Sequence, residues 1–253
     1  MRNRYIVRSR VREAVFRKFL RHVAVDLTAV QIAQLTNLNR NTVNRLLACL
    51  RERMAEACEL ERPFRGHVEV DESYFGPRRV KGKAGRGAGK KTIVFGICKR
   101  HGQVYTEVIE SCSKPTILAA IRGKVDLRSV IHSDGFKSYD GLVDMGYRKH
   151  LRVDHSANEF SSRTVRGNHI NGIEGFWGYA KTRLARFRGM HAQTFFLHLK
   201  ECEFRFNHRR QDLYLSCSGS VGKTRSASHD PELFVEGIRL WEPETRFLLR
   251  AIP

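Results

Sequence analysis

Apolar residues recur at two different periods along this chain, and the change of period divides it. Over residues 1–60 the spacing is helical. Val15, Phe16, Phe19 and Leu20 recur at three and four positions, with basic residues between them. Two short helices joined by a tight turn are expected next. The first covers 28–35, the turn is Thr36-Asn37-Leu38, and Asn39 stands where an N-cap is needed for the second. Val43, Leu46, Leu47, Leu50 and Met54 form one stripe of that second helix. Arg40, Asn41, Asn44 and Arg45 are left on its first exposed turns. The pattern suits a helix-turn-helix, whose second helix offers such side chains to base edges in the major groove. It suits equally an ordinary helical hairpin with a solvated polar face.

After a linker at 59–64, broken by Pro63, the period falls toward two. Strands are predicted at 68–72, 92–99 and 103–109, the last two as a hairpin around His101-Gly102. A helix at 114–122 leads to a strand at 129–133. A short helical piece follows at 138–145, then a strand at 149–153. Two long helices, 169–187 and 192–207, close the region. The order β-β-β-α-β-α-β-α-α predicts an α/β fold, a mixed sheet flanked by helices behind an all-α N-terminal domain. The expected division is 1–60, 61–214 and an atypical tail, 215–253.

Charge narrows the function classes. The 253 residues carry 46 Lys and Arg against 26 Asp and Glu, a net charge of +20. Such an excess favours a polyanionic partner, nucleic acid above all, through counterion release. Residues 77–91 concentrate it, with seven basic residues among glycines and no acid. Arg86, Lys90 and Lys91 are its candidate phosphate contacts, although a solvated loop would read the same way. The spacing fails the nucleotide-binding P-loop pattern, and no strand leads into it. The six cysteines are at least nine positions apart, so no Cys-x-x-Cys knuckle exists and no zinc is expected. Scattered cysteines are most simply reduced and cytoplasmic. No apolar run approaches the roughly 20 residues of a membrane helix. Arg8, Arg10 and Arg12 interrupt any signal-peptide core.

Three acids sit at the borders of predicted elements. Asp71 ends the run His67-Val68-Glu69-Val70, Asp134 ends Val130-Ile131-His132-Ser133, and Glu174 lies near the start of the helix from His169. Two strand-end aspartates and a helical glutamate are the hard oxygen donors that a pair of divalent cations requires for phosphodiester chemistry. Taken singly, each reads as a turn former or a solvated helix residue. On the helix, Ile170, Ile173, Trp177, Ala180, Leu184 and Phe187 form a buried stripe. Asn171, Glu174, Gly178 and Lys181 form a second stripe beside it, with Glu174 and Lys181 two turns apart, roughly 10 Å.

Ordered motifs then carry a resemblance. They are Val68-Glu69-Val70-Asp71-Glu72-Ser73-Tyr74-Phe75-Gly76, Gly85-Arg86-Gly87-Ala88-Gly89-Lys90, Val94-Phe95-Gly96 and Ser133-Asp134 before Ser138-Tyr139-Asp140. His169-Ile170-Asn171-Gly172-Ile173-Glu174-Gly175-Phe176-Trp177, Lys181 and Lys200-Glu201-Cys202-Glu203-Phe204-Arg205-Phe206-Asn207 follow. Over about 64–210 the chain resembles bacterial DDE transposases of the insertion sequence 1595 family, in particular its insertion sequence 1016 branch. The resemblance implies a ribonuclease H-like catalytic core with Asp71, Asp134 and Glu174 as ligands of Mg²⁺, or Mn²⁺ in its place. It implies Lys181 as a basic residue positioning phosphate, and makes His169 and Asn171 accessory candidates. Cleavage of transposon ends and joining of the 3′-hydroxyl to target DNA are the implied reaction, carried out by a homo-oligomer on DNA. A nuclease without strand transfer, or an inactive DNA-binding remnant, are the alternatives. The chain departs from the family's pattern after Arg209-Arg210-Gln211-Asp212-Leu213-Tyr214, where it runs on to Pro253 with weak periodicity.

Overall fold

The computed structural model describes residues 3, 5, 6, 9–60, 64–76, 91–135, 137–153, 169–187 and 190–218. The chain divides into two compact units: residues 1–57 with the segment from His208 onward, and residues 58–207.

The first unit is helical. Its elements are α1 (Glu13–Ala24), α2 (Ala29–Thr36), most of α3 (Arg40–Leu60) and, after His208, α7 (Leu213–Ser218). Thr28 and Gln31 form a capping box at the start of α2. Asn37 ends that helix in the left-handed region at φ 54°, as a short polar side chain can. The Asn39 side chain accepts from the Asn41 amide at 2.8 Å and caps α3, as its position predicted. Val43, Leu46, Leu47, Leu50 and Met54 are buried with Phe16, Phe19, Leu20 and Ile32. Arg40, Asn41, Asn44 and Arg45 are exposed. α7 packs on α1, where Arg21 lies 5.2 Å from the centre of the Tyr214 ring.

The second unit is a five-stranded mixed sheet in the order β3-β2-β1-β4-β5 with helices on both faces. The strands are β1 (His67–Phe75), β2 (Thr92–Lys99), β3 (Val104–Ile109), β4 (Val130–Asp134) and β5 (Lys149–Val153). β1, β2 and β3 are antiparallel neighbours, whereas β1, β4 and β5 run parallel. One face packs Val68, Val70, Phe95, Ile97 and Ile131 against α4 (Lys114–Ile121). The other packs Val94, Cys98 and Phe75 against α5 (Asn171–Leu184) and α6 (Ala192–Asn207).

The structure differs from the sequence expectation at three places. β1 does not end at Glu72 but runs on to Phe75, because β2 pairs with it through Phe75↔Thr92. The helix expected at 138–145 is reduced to one 3₁₀ turn, Lys137–Tyr139, followed by turns. Gly141 and Gly146 there adopt φ of 93° and 90°, which a helix cannot include. α5 begins at Asn171 and ends at Leu184, inside the 169–187 expected. The basic stretch including Arg86 and Lys90, and the tail from 219 onward, lie outside the described residues. Among the described residues no helix is long and apolar enough to cross a membrane.

Candidate active site

Asp71 and Asp134 meet because two strands share a register. β1 and β4 pair His67↔Val130, Val68↔Ile131 and Glu69↔His132. The parallel pairing ends at Glu69↔His132, and continuing its offset by two residues sets Asp71 beside Asp134. Directly paired residues project to the same face, here the face that α5 covers. The proximity registers electrostatically. Burial, then Glu72, then Asp134 push the Asp71 carboxyl up from its usual value to about 7. Glu72, on the opposite face, is raised by burial, while a 2.7 Å hydrogen bond donated by Tyr139 Oη opposes the rise. Burial raises Tyr139 itself well above the usual phenol range.

α5 lies along β1 and β2 and reaches Asp71. The indole N–H of Trp177 donates to Asp71 Oδ2 at 3.0 Å. Gly96 makes the approach possible. It pairs with Asp71 across β1 and β2, and a Cβ there would meet Trp177 Cζ2 at 2.5 Å and Ile173 Cδ1 at 2.7 Å. By its spacing Trp177 belongs to the buried stripe of α5. The ring is indeed buried, but its polar edge also fixes a site carboxylate. Glu174 sits one turn before Trp177, and Lys181 one turn after it with Nζ 5.9 Å from the Phe75 ring centre. Asn171, Glu174, Gly178 and Lys181 are all exposed, the second stripe that the spacing predicted.

The start of α5 is held from the sheet. Its N-cap residue, Ile170, supplies no side-chain hydrogen bond. Instead Glu69, 1% exposed and two residues before Asp71 on the same face, accepts from the Ile173 amide at 3.0 Å through Oε2. Glu69 Oε1 accepts from Arg100 Nε at 3.0 Å, and Arg100 Nη2 donates to the His169 carbonyl at 2.6 Å. His169 Nδ1 is buried 3.4 Å from Glu69 Oε1, outside hydrogen-bond geometry. Neither Glu69 nor Arg100 stood out in the sequence. The available signal for Glu69 was a charge between the two buried valines Val68 and Val70 of a strand.

Asp71 and Asp134 are thus brought together, and Glu174 is carried on the helix bonded to Asp71. The three do not close into one cluster. Among the described residues no three His, Cys, Asp or Glu side chains form a group that could hold a metal ion. Asp71 Oδ2 is engaged by Trp177, and Glu174 lies on the outward stripe of α5. Of the basic-loop candidates only Lys91 is described, and it is exposed. A groove of about 840 Å³, lined by Arg65, Arg122, Asp126, Arg128 and Tyr147 among others, opens where β1 and β4 begin. None of the three acids lines it.

Comparison with known proteins identifies the unit that carries these residues. Residues 63–207 match the family model of the ISXO2-like transposase domain. A transposase-like protein of Haemophilus influenzae is 41% identical over 106 residues, which span 42% of this chain and 82% of that protein. Among solved structures, the Mos1 transposase paired-end complex with left transposon end aligns over 83% of this chain and 79% of its own. Its identity is 14% and its TM-score 0.27, too slight a likeness to bear on the fold. The Mos1 strand transfer complex aligns equally weakly, at a TM-score of 0.27. The family match covers most of the sheet unit and contains Asp71, Asp134, Glu174 and Lys181, so the chain belongs to the insertion sequence 1595 family of transposases.

Proposed function

We propose that the chain cuts DNA at the ends of its own element and joins the freed 3′-hydroxyl to target DNA, using Asp71, Asp134 and Glu174 as one divalent-metal site. The observation that carries this reading is the nearness of Asp71 to Asp134, which the β1–β4 register sets two residues past its last pair and which raises the Asp71 carboxyl, with Asp71 bonded to the helix that bears Glu174. The sheet order, with antiparallel β3-β2-β1 continued by parallel β4 and β5, supports a ribonuclease H-like core. Carboxylate oxygens fit Mg²⁺ or Mn²⁺ in kind, and the raised Asp71 carboxyl is what a neighbouring cation would relieve. Such a cation supplies charge stabilisation to the attacking and leaving oxygens of an in-line displacement.

The chain's own residues do the rest. Asp71 and Asp134 offer oxygens from a rigid pair of strands. Trp177 holds the Asp71 carboxylate in one orientation. Glu174 joins from α5 by a rotamer change toward the sheet. Lys181, exposed one turn beyond Trp177, places a point charge against phosphate. His169 and Asn171 flank the start of the same helix. Arg40, Asn41, Asn44 and Arg45, exposed on the capped first turns of α3, read the element's ends as the second helix of a helix-turn-helix. Lys91, with Arg86 and Lys90, adds affinity for the phosphate backbone without sequence preference. The protein works as a homo-oligomer on DNA in the cytoplasm.

The test uses the full chain, a duplex carrying the element's end, a target plasmid, and Mg²⁺ or Mn²⁺. Wild type is expected to cut and join. Asp71→Asn, Asp134→Asn and Glu174→Gln are each expected to lose both activities while binding the duplex as wild type does. Cutting without joining would reduce the reading to a nuclease. Undiminished cutting by any of the three variants would remove that residue from the site.

A further inference from the structure

We infer that Glu69 is a positioning residue for catalysis: the buried carboxylate fixes the first turn of α5 and thereby sets where Glu174 stands relative to Asp71. The inference rests on the reading of Asp71, Asp134 and Glu174 as the metal site. Three independent features converge on Glu69. First, α5 lacks a side-chain cap of its own, since Ile170 provides none, so the amides of its first turn need an outside acceptor. Glu69 Oε2 supplies it at the third helical residue, the Ile173 amide, 3.0 Å away. Secondly, the helix makes room for that acceptor. A Cβ on Gly172 would stand 2.7 Å from Glu69 Oε2 and 3.2 Å from Cys98 Sγ, so a larger residue would push the carboxylate off the helix. Thirdly, Arg100 bonds both partners, Glu69 through Nε and the His169 carbonyl through Nη2, so the segment entering α5 is tied to the same carboxylate.

The geometry gives Glu69 leverage over the metal site. Glu174 directly follows Ile173, and Glu69 precedes Asp71 by two residues on the same face of β1. A strand transmits little play over two residues. The Asp71–Glu174 spacing is therefore held at both ends of one short link, by the Glu69–Ile173 bond at the helix start and the Trp177–Asp71 bond one turn further on. A negative charge at a helix N-terminus is favourable, and the Arg100 guanidinium compensates its burial. A simple apolar contact would hold the helix on the sheet but not its rotation or its axial position. Directional bonds hold both.

Glu69→Gln tests the role in the full chain. The amide can accept from Ile173 or from Arg100, but its NH₂ must then face the other donor. Mn²⁺ binding is read by electron paramagnetic resonance of the free ion, alongside DNA affinity, thermal midpoint and amide exchange of the peptide spanning 169–176. The expected result is about a tenfold weaker Mn²⁺ midpoint, the size typical of disturbing a group that orients a metal ligand. Faster exchange at the start of α5, unchanged DNA affinity and cleavage restored at high Mn²⁺ complete the expectation. Glu69→Gln combined with Glu174→Gln is expected to bind Mn²⁺ no more weakly than Glu174→Gln alone. A lowered thermal midpoint with a wild-type Mn²⁺ midpoint would show a purely structural Glu69 and overturn the inference, while Glu174→Gln still abolished cleavage. If Glu174→Gln left Mn²⁺ binding and cleavage intact, the metal-site reading would fail and the inference with it. Should Glu69→Gln not fold, Gly172→Ala decides. It keeps the charge but displaces the carboxylate, and a wild-type Mn²⁺ midpoint in it would equally overturn the inference.

Discussion

The two faces of the sheet are covered by different chemistry. Against α4 the packing is apolar: Val68, Val70, Phe95, Ile97, Ile117, Ile121 and Ile131 are buried, with Leu142 and Tyr139 closing the margin. Against α5 and α6 an apolar layer is interleaved with buried charge. Glu201 accepts from Arg183 at 2.6 Å and from Arg205 at 2.9 Å, all three nearly inaccessible. Lys200 lies 3.1 Å from Glu203 and donates to the Thr106 carbonyl at 2.9 Å. Glu203 accepts from the Thr106 amide, and the Asn207 side chain both accepts from and donates to the Val104 backbone. α6 thereby satisfies the outer edge of β3, which would otherwise be open to pairing. Apolar contact is non-directional and tolerates sliding, whereas each of these bonds fixes a distance. The face that carries α5, with Glu174 and Lys181, is the one secured by directional bonds.

Breaking that contrast at its strongest point should have the largest effect. Glu201→Ala leaves Arg183 and Arg205 buried side by side without their shared acceptor. A loss of about 3–5 kcal/mol is expected from stranding buried charge. Urea unfolding at pH 7 measures it. Replacing Arg183, Glu201 and Arg205 together by apolar residues of similar volume should recover most of the loss, because the desolvation cost disappears with the charges. A single variant as stable as wild type would mean that water reaches the cluster.

The contrast also explains what the sequence could show. The apolar face was legible: β2, β3, β4 and α4 follow from period and turn residues, and the structure returns them within a residue or two. The outward stripe of α5 was equally legible, since Asn171, Glu174, Gly178 and Lys181 are spaced by three and four. The expected first strand stops at Glu72 because the residues from Asp71 to Gly76 also read as a turn. Only the pairing with β2, a long-range contact, carries the strand to Phe75. Glu69 and Trp177 were missed as site residues for the same reason. Their partners lie 104 and 106 positions away, and no local pattern records such a bond. The acids themselves could be singled out, but each alone looked structural, and the approach of Asp71 to Asp134 depends on the register of β1 against β4.

A smaller effect is expected where the apolar and polar layers touch. Gly96→Ala places a methyl 2.5 Å from Trp177 Cζ2, so α5 must lift from the sheet. Overpacking of this kind costs about 1–3 kcal/mol. The more telling change is at Asp71, whose bond from the Trp177 indole should lengthen. In a Trp241→Phe background, Trp177 emission should shift to the red and become quenchable by acrylamide. Unchanged emission with lowered stability would place the strain elsewhere on α5.

The smallest effect concerns a polar group at the margin of the apolar face. His150, half-buried on β5, makes a 2.8 Å hydrogen bond with Ser133 Oγ, and its ring centre lies 6.4 Å from that of Tyr139. Burial lowers its pKa from the usual 6.5 to about 4, Arg152 adds to the shift, and Asp140 opposes it. The folded value lies below the unfolded one, so on acidification the unfolded chain takes up the proton first. The contribution to stability is complete above about pH 6.5 and is lost as pH falls toward 4. Because solvent reaches part of the ring, its size is about 1 kcal/mol rather than the full linkage value. His150→Gln keeps a polar partner for Ser133 but cannot take up a proton. Between pH 7 and pH 4.5 the wild type should lose about 1 kcal/mol more than this variant in urea unfolding. Equal losses would mean that the ring protonates in the folded protein as readily as in water, and that this margin of the apolar face is wet.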